Sequence, residues 1–477
     1  MKRHAARLAV LTTLAALGAG CAQVPPPQLP DVPVAAAFKS AQAAGSTDSL
    51  PAQDWWTAFN DPELNALEQR LLDNSPDLAS ALARYQQARA ATDVVRAAQS
   101  PSLSTSANVQ RDRQSELKPL RVLGPNSPNE YTSATLGLDL EYEVDLWGRV
   151  KQQVNAGVAQ EKAAQADLAA ARLSLQAQLA DSLVALRGLD EESRLLTDTI
   201  AAYSKAISVV EQRHDGGIAS GLDTARAEAQ LESTRSQARQ VQAQRAVMEH
   251  AIAALVGASA SSFSIDPKAV AAVTPSIPAG MPSALLQRRP DIAAAQLRVA
   301  AAGATVGAAK TAFFPALTLS ATGGYQSSDL ARFAEMPNLF WAVGPTLAYT
   351  LFDGGRRKAQ LASAEASLDE AGQRYRSVVL GAFQQVEDQL SLLSEYGEAA
   401  RSDSLAAAAA QRALTLATTR YQQGAVSYLD VVTAQTVHLQ ALRSSLDLTT
   451  KQRRAAVQLV RALGGGWSNA QLATQAS

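Results

Sequence analysis

The sequence predicts a membrane protein of the α+β class with an internal duplication, in which each chain carries four transmembrane β-strands and several long α-helices. Three observations lead to this fold class: two long segments without proline, residue pairs that recur at a constant spacing, and segments in which apolar and polar residues alternate. The composition, 47% hydrophobic but only 5% aromatic, also favours closely packed helices over a bulky core.

Proline marks where long helices can form. All 20 prolines lie outside two segments, 129–266 and 346–477. Because proline costs about 3 kcal/mol in a helix interior, these segments can hold long uninterrupted helices. The longest predicted helix, of roughly 65 to 70 residues, would measure on the order of 100 Å. No soluble globular core buries a helix of that length.

The two proline-free segments are copies of each other. The pairs that match at one constant spacing are Tyr142 with Tyr349, Gly148-Arg149 with Gly355-Arg356, Gly217 with Gly424, and Asp223 with Asp430. Upstream, Pro76-Asp77 matches Pro290-Asp291 and Pro101 matches Pro315 at a slightly longer spacing. The spacing changes between Pro101 and Tyr142, so one loop in that interval differs in length between the copies.

Each copy is predicted to contain a helix, a strand, a loop, a second strand, a very long helix and a last helix. In the first copy these are 77–99, 102–112, 113–130, 135–146, 148–214 and 222–256. In the second copy they are 291–311, 316–326, 327–338, 341–351, 355–423 and 429–463. The strands alternate apolar and polar residues, and their length of about ten residues suits a tilted crossing of an outer membrane.

Four strands cannot close a membrane barrel, because the smallest such barrels have eight. An open sheet edge in lipid leaves unpaired backbone groups that cost several kcal/mol each. The chain must therefore form an oligomer through its strands, either a dimer with eight strands or a trimer with twelve. Side chains fill the lumen of an eight-stranded barrel, so a conduit favours the trimer.

The amino terminus predicts secretion. Basic residues at positions 2, 3 and 7 precede a short apolar run, 8–17, as in a signal peptide. Cys21, the only cysteine, would be the first mature residue, which resembles a bacterial lipoprotein signal; the alternative is an ordinary signal peptide with a chance cysteine. No other stretch is expected to reach transmembrane-helix length, so strands must span the membrane. The net charge of −1 provides no excess of positive charge that would bind the phosphates of a nucleic acid.

Several short motifs occur together along the mature chain. They are Trp55-Trp56 with Phe59 and Asp61-Pro62, the run 277–292 with its Arg288-Arg289-Pro290-Asp291, Phe313-Phe314-Pro315, the run 351–356, and the Gly-Gly-Gly-Trp ending at Trp467. In combination they resemble the TolC-like outer-membrane efflux family, in the lipoprotein branch of OprM and NodT. The resemblance implies a homotrimer with a twelve-stranded barrel in the outer membrane, a twelve-helix periplasmic α-barrel and an equatorial belt. It also implies a periplasmic adaptor and an inner-membrane RND-type transporter as partners, export of drugs and other small molecules, and a palmitate-type lipid anchor on Cys21 as the only bound group.

With this resemblance the chain divides into six predicted parts. They are a signal peptide at 1–20, an acylated tether and equatorial segment at 21–75, a first repeat at 76–260, an equatorial connector at 261–289, a second repeat at 290–464 and a tail at 465–477.

Two glycine turns are candidate functional sites. Each copy has an arginine, a glycine and an aspartate in matching places: Arg213, Gly217 and Asp223, then Arg420, Gly424 and Asp430. Glycine ends a helix and an acid suits the first turn of the next, so a plain helical hairpin explains the pattern. The resemblance implies in addition that these tips dock on the adaptor and close the tunnel.

Four acids share one face of the strand at 135–146. They are Asp139, Glu141, Glu143 and Asp145, with leucines and a tyrosine on the opposite face. If the apolar face meets lipid, these acids line the channel lumen and favour cations and cationic drugs. Alternatively the lumen is simply polar, or arginines such as Arg149 or Arg111 neutralise the acids.

Catalysis finds little support, because no catalytic motif or metal-ligand spacing occurs and the four histidines are isolated. Acid pairs such as Glu191-Glu192 are expected to be surface charge. Two other interpretations stay open: a duct for protein or siderophore export, and, in a different class, a periplasmic coiled-coil adaptor or adhesin lipoprotein.

Overall fold

The structure, a computed structural model, describes residues 29–40, 54–115, 129–268, 274–275, 277–278 and 280–474. The predicted signal peptide, Cys21 and most of the first interstrand loop lie outside these residues. The chain divides into two compact units, which are described separately: one contains Gln86–Ala163 and Gln296–Arg374, the other Asp31–Tyr85, Ala164–Ala295 and Tyr375–Ser477.

The main helices and strands follow the predicted order. The α-helices are α1 (Pro62–Asn74), α2 (Pro76–Ala97), α3 (Arg149–Asp215), α4 (Gly221–Leu255), α5 (Leu285–Arg288), α6 (Pro290–Thr311), α7 (Arg356–Gln422), α8 (Tyr428–Leu463) and α9 (Ala470–Thr474). The strands are β1 (Ser102–Arg113), β2 (Glu130–Val144), β3 (Ala316–Ser327) and β4 (Leu339–Ala348). The two longest helices, α3 and α7, each have 67 residues without a proline.

The first unit is built around an antiparallel sheet in the order β1-β2-β3-β4. The register places Ser104 opposite Asp139 and Asp139 opposite Thr322, so polar residues of three strands share one face. Leu103 pairs with Leu140, and Leu140 with Ala321, on the other face. The predicted two-faced strands therefore assemble into a two-faced sheet.

The second unit has an apolar core that the sequence did not predict. A 3₁₀ helix, Trp55–Phe59, and α1 lie in the segment that the sequence predicts as a tether and equatorial segment. Asp61 caps α1 by accepting a hydrogen bond from the Glu63 amide at 2.9 Å. Both tryptophans and the leucines of α1 are buried against α3, α4 and α8, so this segment is part of the fold.

Three expectations need correction. Strand β4 ends at Ala348 rather than 351, because its partner β3 begins only at Ala316, after Pro315. Among the described residues, helix α6 is long and apolar enough to cross a membrane, contrary to expectation; its mean hydropathy of 1.3 comes from an alanine-rich sequence, and 44% of that window is buried inside the protein. Glu191 and Glu192 pair with arginines of α8 at 3.6 and 2.6 Å instead of being solvated.

Candidate functional site

One face of the sheet is apolar and uncovered. Trp341 is 74% exposed, Val343 71% and Leu103 68%, with Leu138 and Leu347 also exposed on that face. Soluble monomers rarely expose contiguous apolar patches larger than a few hundred Å². This face is suited to contact with lipid, while the polar face is suited to water.

The two edges of the sheet are open. Among the described residues, β1 pairs only with β2 and β4 pairs only with β3. Each edge therefore presents a row of backbone donors and acceptors without partners. In lipid such groups must be paired, because no water is present to satisfy them.

The four predicted lumen acids have different surroundings. Asp139 accepts a hydrogen bond from the Thr322 hydroxyl at 2.7 Å. The carboxylate of Glu141 has no partner among the described residues. Glu143 is bound by two donors of Arg149, one of them Nε at 2.8 Å, and this hydrogen bonding raises the pKa of Arg149 above its ordinary value.

Asp145 acts as a helix cap. Its carboxylate accepts hydrogen bonds from the backbone amides of Val150 and Lys151 at 3.0 and 2.7 Å, at the start of α3. Arg111 does not reach the four acids, since it pairs with Glu130 at 3.2 Å. A lumen role for the acids stays a prediction, and of the four only Glu143 forms an ion pair with a cation within the described structure.

The second junction between strand and helix uses a carboxylate in the same way. Asp353 accepts from the amides of Gly355 and Arg357 at 3.0 and 3.2 Å, and from Arg357 Nε at 2.7 Å. The hydrogen bond from Arg357 is the main cause that lowers the pKa of Asp353. At the first junction, Trp147 stacks on Phe314 at 4.9 Å. Such contacts fix the direction in which each long helix leaves its strand.

At the two helical tips, four of the six predicted docking residues have local structural roles. Gly217 and Gly424 have φ angles of 72° and 75°, the left-handed conformation that ends a helix with little cost for glycine. Asp223 and Asp430 each belong to a capping box, with Ser220 and Ser427 respectively.

The two arginines differ. Arg213 lies 4.8 Å above the Tyr421 ring and donates to the Tyr421 carbonyl at 3.3 Å, so it holds the two hairpins together. Tyr421 contacts Tyr428 edge-on at 5.2 Å, and burial raises the pKa of Tyr428 to about 12. Arg420 is exposed and has no partner among the described residues. Neither tyrosine was predicted as a site residue from the sequence, although both flank the second glycine turn.

Exposed apolar side chains surround the tips. Ile218 is 70% exposed, Leu416 64% and Leu222 58%. Together with Arg420 they form a largely apolar surface that carries one arginine without a partner among the described residues. A protein partner could bury such a surface.

A chain of buried ion pairs in the second unit was also missed. Arg187, which is 3% exposed, pairs with Asp61 at 3.4 Å and with Asp190 at 3.3 Å. Asp190 pairs in turn with Arg245 at 2.6 Å, and Arg245 with Glu249 at 2.8 Å. This network fastens the start of α1 to α3 and α4. Most of its members lie far apart in sequence, and only the local spacings of Arg187 with Asp190 and of Arg245 with Glu249 signal it.

No cluster of three metal-binding side chains occurs among the described residues. His214, at the first tip, has its Nδ1 2.9 Å from the Ala219 carbonyl, which supports the turn.

A lipid-suited sheet with open edges, connected in sequence to 67-residue helices, defines a channel-forming protein of the outer membrane. The chain belongs to the outer membrane efflux protein family, whose sequence model matches residues 67–258 and 281–465. It is therefore an outer-membrane efflux channel with the TolC-like fold, from a family of ducts rather than of enzymes.

Three known proteins illustrate the similarity. The chain is 31% identical to outer membrane protein OprJ of Pseudomonas aeruginosa, over 98% of this chain and 97% of OprJ. It is 32% identical to the pyoverdine export outer membrane protein OpmQ of Pseudomonas aeruginosa, over 90% of each. The solved structure of the outer-membrane channel OprN superimposes with a TM-score of 0.83 at 30% identity, covering 93% of this chain and 99% of that one.

Proposed function

We propose that the chain is the passive outer-membrane duct of a tripartite efflux system, and that it works as a homotrimer. The observation that carries the proposal is the four-stranded sheet with an uncovered apolar face and two open edges. Pairing β4 of one chain with β1 of the next satisfies both edges, and three chains close a barrel of twelve strands. The long helices of three chains then form a twelve-helix periplasmic tunnel, with the connector at 261–289 and the segment at 21–75 in an equatorial belt.

The partners follow from the tips and from the similarity to efflux-pump components. A periplasmic adaptor docks on the surface formed by Arg420 and the exposed apolar residues beside it, and an inner-membrane transporter of the RND type supplies the cargo. Arg213, the two glycines and the two capping aspartates shape this surface rather than contact the adaptor. Removal of residues 1–20 and acylation of Cys21 anchor the mature chain to the membrane, and no further cofactor is needed.

Disulfide trapping tests the assembly. In a background with Cys21 kept for acylation, Ser106→Cys on β1 is combined with Gly344→Cys on β4 and with neighbouring positions of β4. Oxidation is expected to yield covalent trimers that conduct ions in planar bilayers. The matched control moves the first cysteine to Gly137 on β2, which is an interior strand and should not cross-link. Covalent dimers alone would point to an eight-stranded barrel, and a chain without trimers or conductance to a coiled-coil adaptor or adhesin.

The same bilayers test the acidic lumen. Asp139→Asn with Glu141→Gln is expected to weaken the preference for cations, because these two charges lack a balancing cation. The control pair Glu143→Gln with Arg149→Gln leaves the net charge unchanged and should leave the preference unchanged. Equal reversal potentials in all three proteins would refute a selective role for Asp139 and Glu141.

A siderophore duct is the second candidate, because OpmQ, which is 32% identical, is named for pyoverdine export. Deletion of the gene separates the two: higher drug sensitivity with normal siderophore secretion supports drug efflux, and the opposite result supports siderophore export. A protein-export duct would instead lose a secreted protein.

A further inference from the structure

A cavity of about 530 Å³ lies in the second unit, and none of its lining residues belongs to a strand or to a tip. Its volume is within the range of about 300–1,000 Å³ that is usual for small-molecule sites. The walls come from α1, α2, α3 and the segment that follows α8. The main apolar lining residues are Leu72, Leu78, Leu168, Leu173, Trp467 and Leu472.

The wall formed by the Gly-Gly-Gly-Trp segment depends on glycine. Gly465 has a φ of +57°, and a Cβ there would lie 2.2 Å from Leu173 Cδ1. A Cβ on Gly464 would lie 2.1 Å from the Arg288 carbonyl oxygen. Trp467 packs against buried alanines of α3 and α6. This motif, which the channel function leaves unexplained, therefore builds one side of the cavity.

Buried polar groups without partners line the same cavity. Ser75 is 3% exposed and Gln176 4% exposed, and neither Ser75 Oγ nor Gln176 Nε2 has a hydrogen-bond partner within the described structure. A buried donor or acceptor that is left unpaired is unfavourable for the fold, and a ligand that pairs with it removes this cost. Next to Gln176, Glu68 is fully buried, and neither of its carboxyl oxygens has a hydrogen-bond partner among the described residues. Burial raises the pKa of Glu68 to about 9, so this acid is neutral at physiological pH and does not repel an anion.

The charged lining residues favour an anionic ligand. Arg172 is exposed and makes no hydrogen bond or ion pair with any described residue. Asp73, on the rim, already accepts hydrogen bonds from Gln69 Nε2 at 3.1 and 3.2 Å. The lining groups that have no hydrogen-bond partner among the described residues are therefore mostly donors. They are the Arg172 guanidinium, the Gln176 amide and the Ser75 hydroxyl.

We propose that this cavity binds an anionic amphiphile, with its acceptor-rich head at Arg172, Gln176 and Ser75 and its alkyl tail along the leucines and Trp467. A fatty-acid carboxylate and a phosphate head group offer the same acceptors and the same charge. The proposal assigns a ligand to a part of the chain outside both the channel and the predicted docking tips.

The test uses the full-length protein in lipid nanodiscs and alkyl probes of equal length with a diazirine in the tail. Dodecanoate and dodecyl phosphate derivatives supply the two anionic heads, and a dodecanol derivative supplies a neutral one. After photolysis, mass spectrometry maps labelled peptides. Saturable labelling of residues 72–82 and 465–472 by at least one anionic probe is expected, and the more efficient probe identifies the source of the head group.

Two substitutions on α3 make the test specific. Arg172→Gln is expected to raise the half-saturating concentration about tenfold, while Arg194→Gln, an exposed arginine on the same helix outside the cavity, leaves it unchanged. Labelling that does not saturate, that is as strong with the dodecanol probe, or that is unchanged in Arg172→Gln overturns the proposal and leaves the cavity as a site for water.

Discussion

Glu68 on α1 is expected to make the stability of the protein depend on pH. Its ordinary pKa of 4.5 is raised to about 9 in the folded protein, chiefly by burial and against the effects of Arg172 and Gln176. An acid whose pKa is raised by folding holds its proton more tightly in the folded state. Glu68 therefore makes its full contribution to the free energy of unfolding below about pH 4.5. This contribution is lost progressively as the pH rises to about 9.

The size of the effect follows from these two values. Each pH unit between them costs about 1.4 kcal/mol, so about 3 kcal/mol of the free energy of unfolding is lost between pH 4.5 and pH 7. Glu68→Gln removes the titrating proton while keeping the shape of the side chain. The variant is expected to match the unchanged protein near about pH 5 and to exceed its stability by about 3 kcal/mol at pH 7.

Guanidinium unfolding followed by circular dichroism measures this difference, with protein and detergent concentrations fixed because assembly contributes to stability. Glu63→Gln is the matched control, since Glu63 lies on the same helix but its side chain is 32% exposed and pairs with Lys268 at the surface. Its pH profile should run parallel to that of the unchanged protein. Parallel profiles for Glu68→Gln as well would refute the reasoning.

Three further substitutions test other parts of the fold. Asp430→Ala removes a capping box and should cost about 1 kcal/mol, visible as faster hydrogen exchange at the second tip. Asp190→Asn weakens the pairing of Arg187 inside the buried network and should lower stability by about 3 kcal/mol or more in chemical unfolding. Gly324→Ala puts a Cβ 2.0 Å from a carbonyl oxygen of β2, and it should abolish heat-modifiable oligomers on gels. Gly323→Ala is the control: its Cβ would lie 3.5 Å from the nearest atom, and the oligomers should persist.

Each expectation has a clear contrary result. Unchanged exchange at the tip would show that Asp430 acts by contact with a partner and not as a cap. A neutral effect of Asp190→Asn would mean that water reaches the ion-pair network. Equal oligomer yields for the two alanine variants would show that the strands adjust their register without cost.

The sequence was most informative where a single element is regular over many residues. Proline-free segments predicted the two 67-residue helices to within a few residues, and alternation predicted the faces of the strands. The predicted end of β4 was wrong because a strand can extend only as far as its partner does. The partner, β3, begins only after Pro315. The helix α1 was missed because its apolar face is short, and its burial depends on helices that are distant in sequence.

For the candidate sites, the sequence indicated which residues matter better than it indicated what each side chain contacts. The glycines and acids at the tips were found by comparing the two copies. The comparison could not separate Arg213, which contacts a tyrosine, from Arg420, which has no partner in the described part of the chain. Among the lumen acids, alternation assigned Asp145 to a face, while the structure shows that its carboxylate caps a helix. Position in a pattern gives the direction of a side chain but not the partner that it meets.

The open edges of the sheet have a genetic consequence. In the proposed trimer every chain pairs its edge strands with those of the two other chains. A chain with a damaged β4 therefore prevents closure of the barrel in each trimer that contains it. A cell that makes damaged and intact chains in equal amounts would retain only about one intact trimer in eight, if chains mix at random. Defects of the edge strands should therefore be dominant, whereas defects confined to docking at a single tip should be milder in the same mixture.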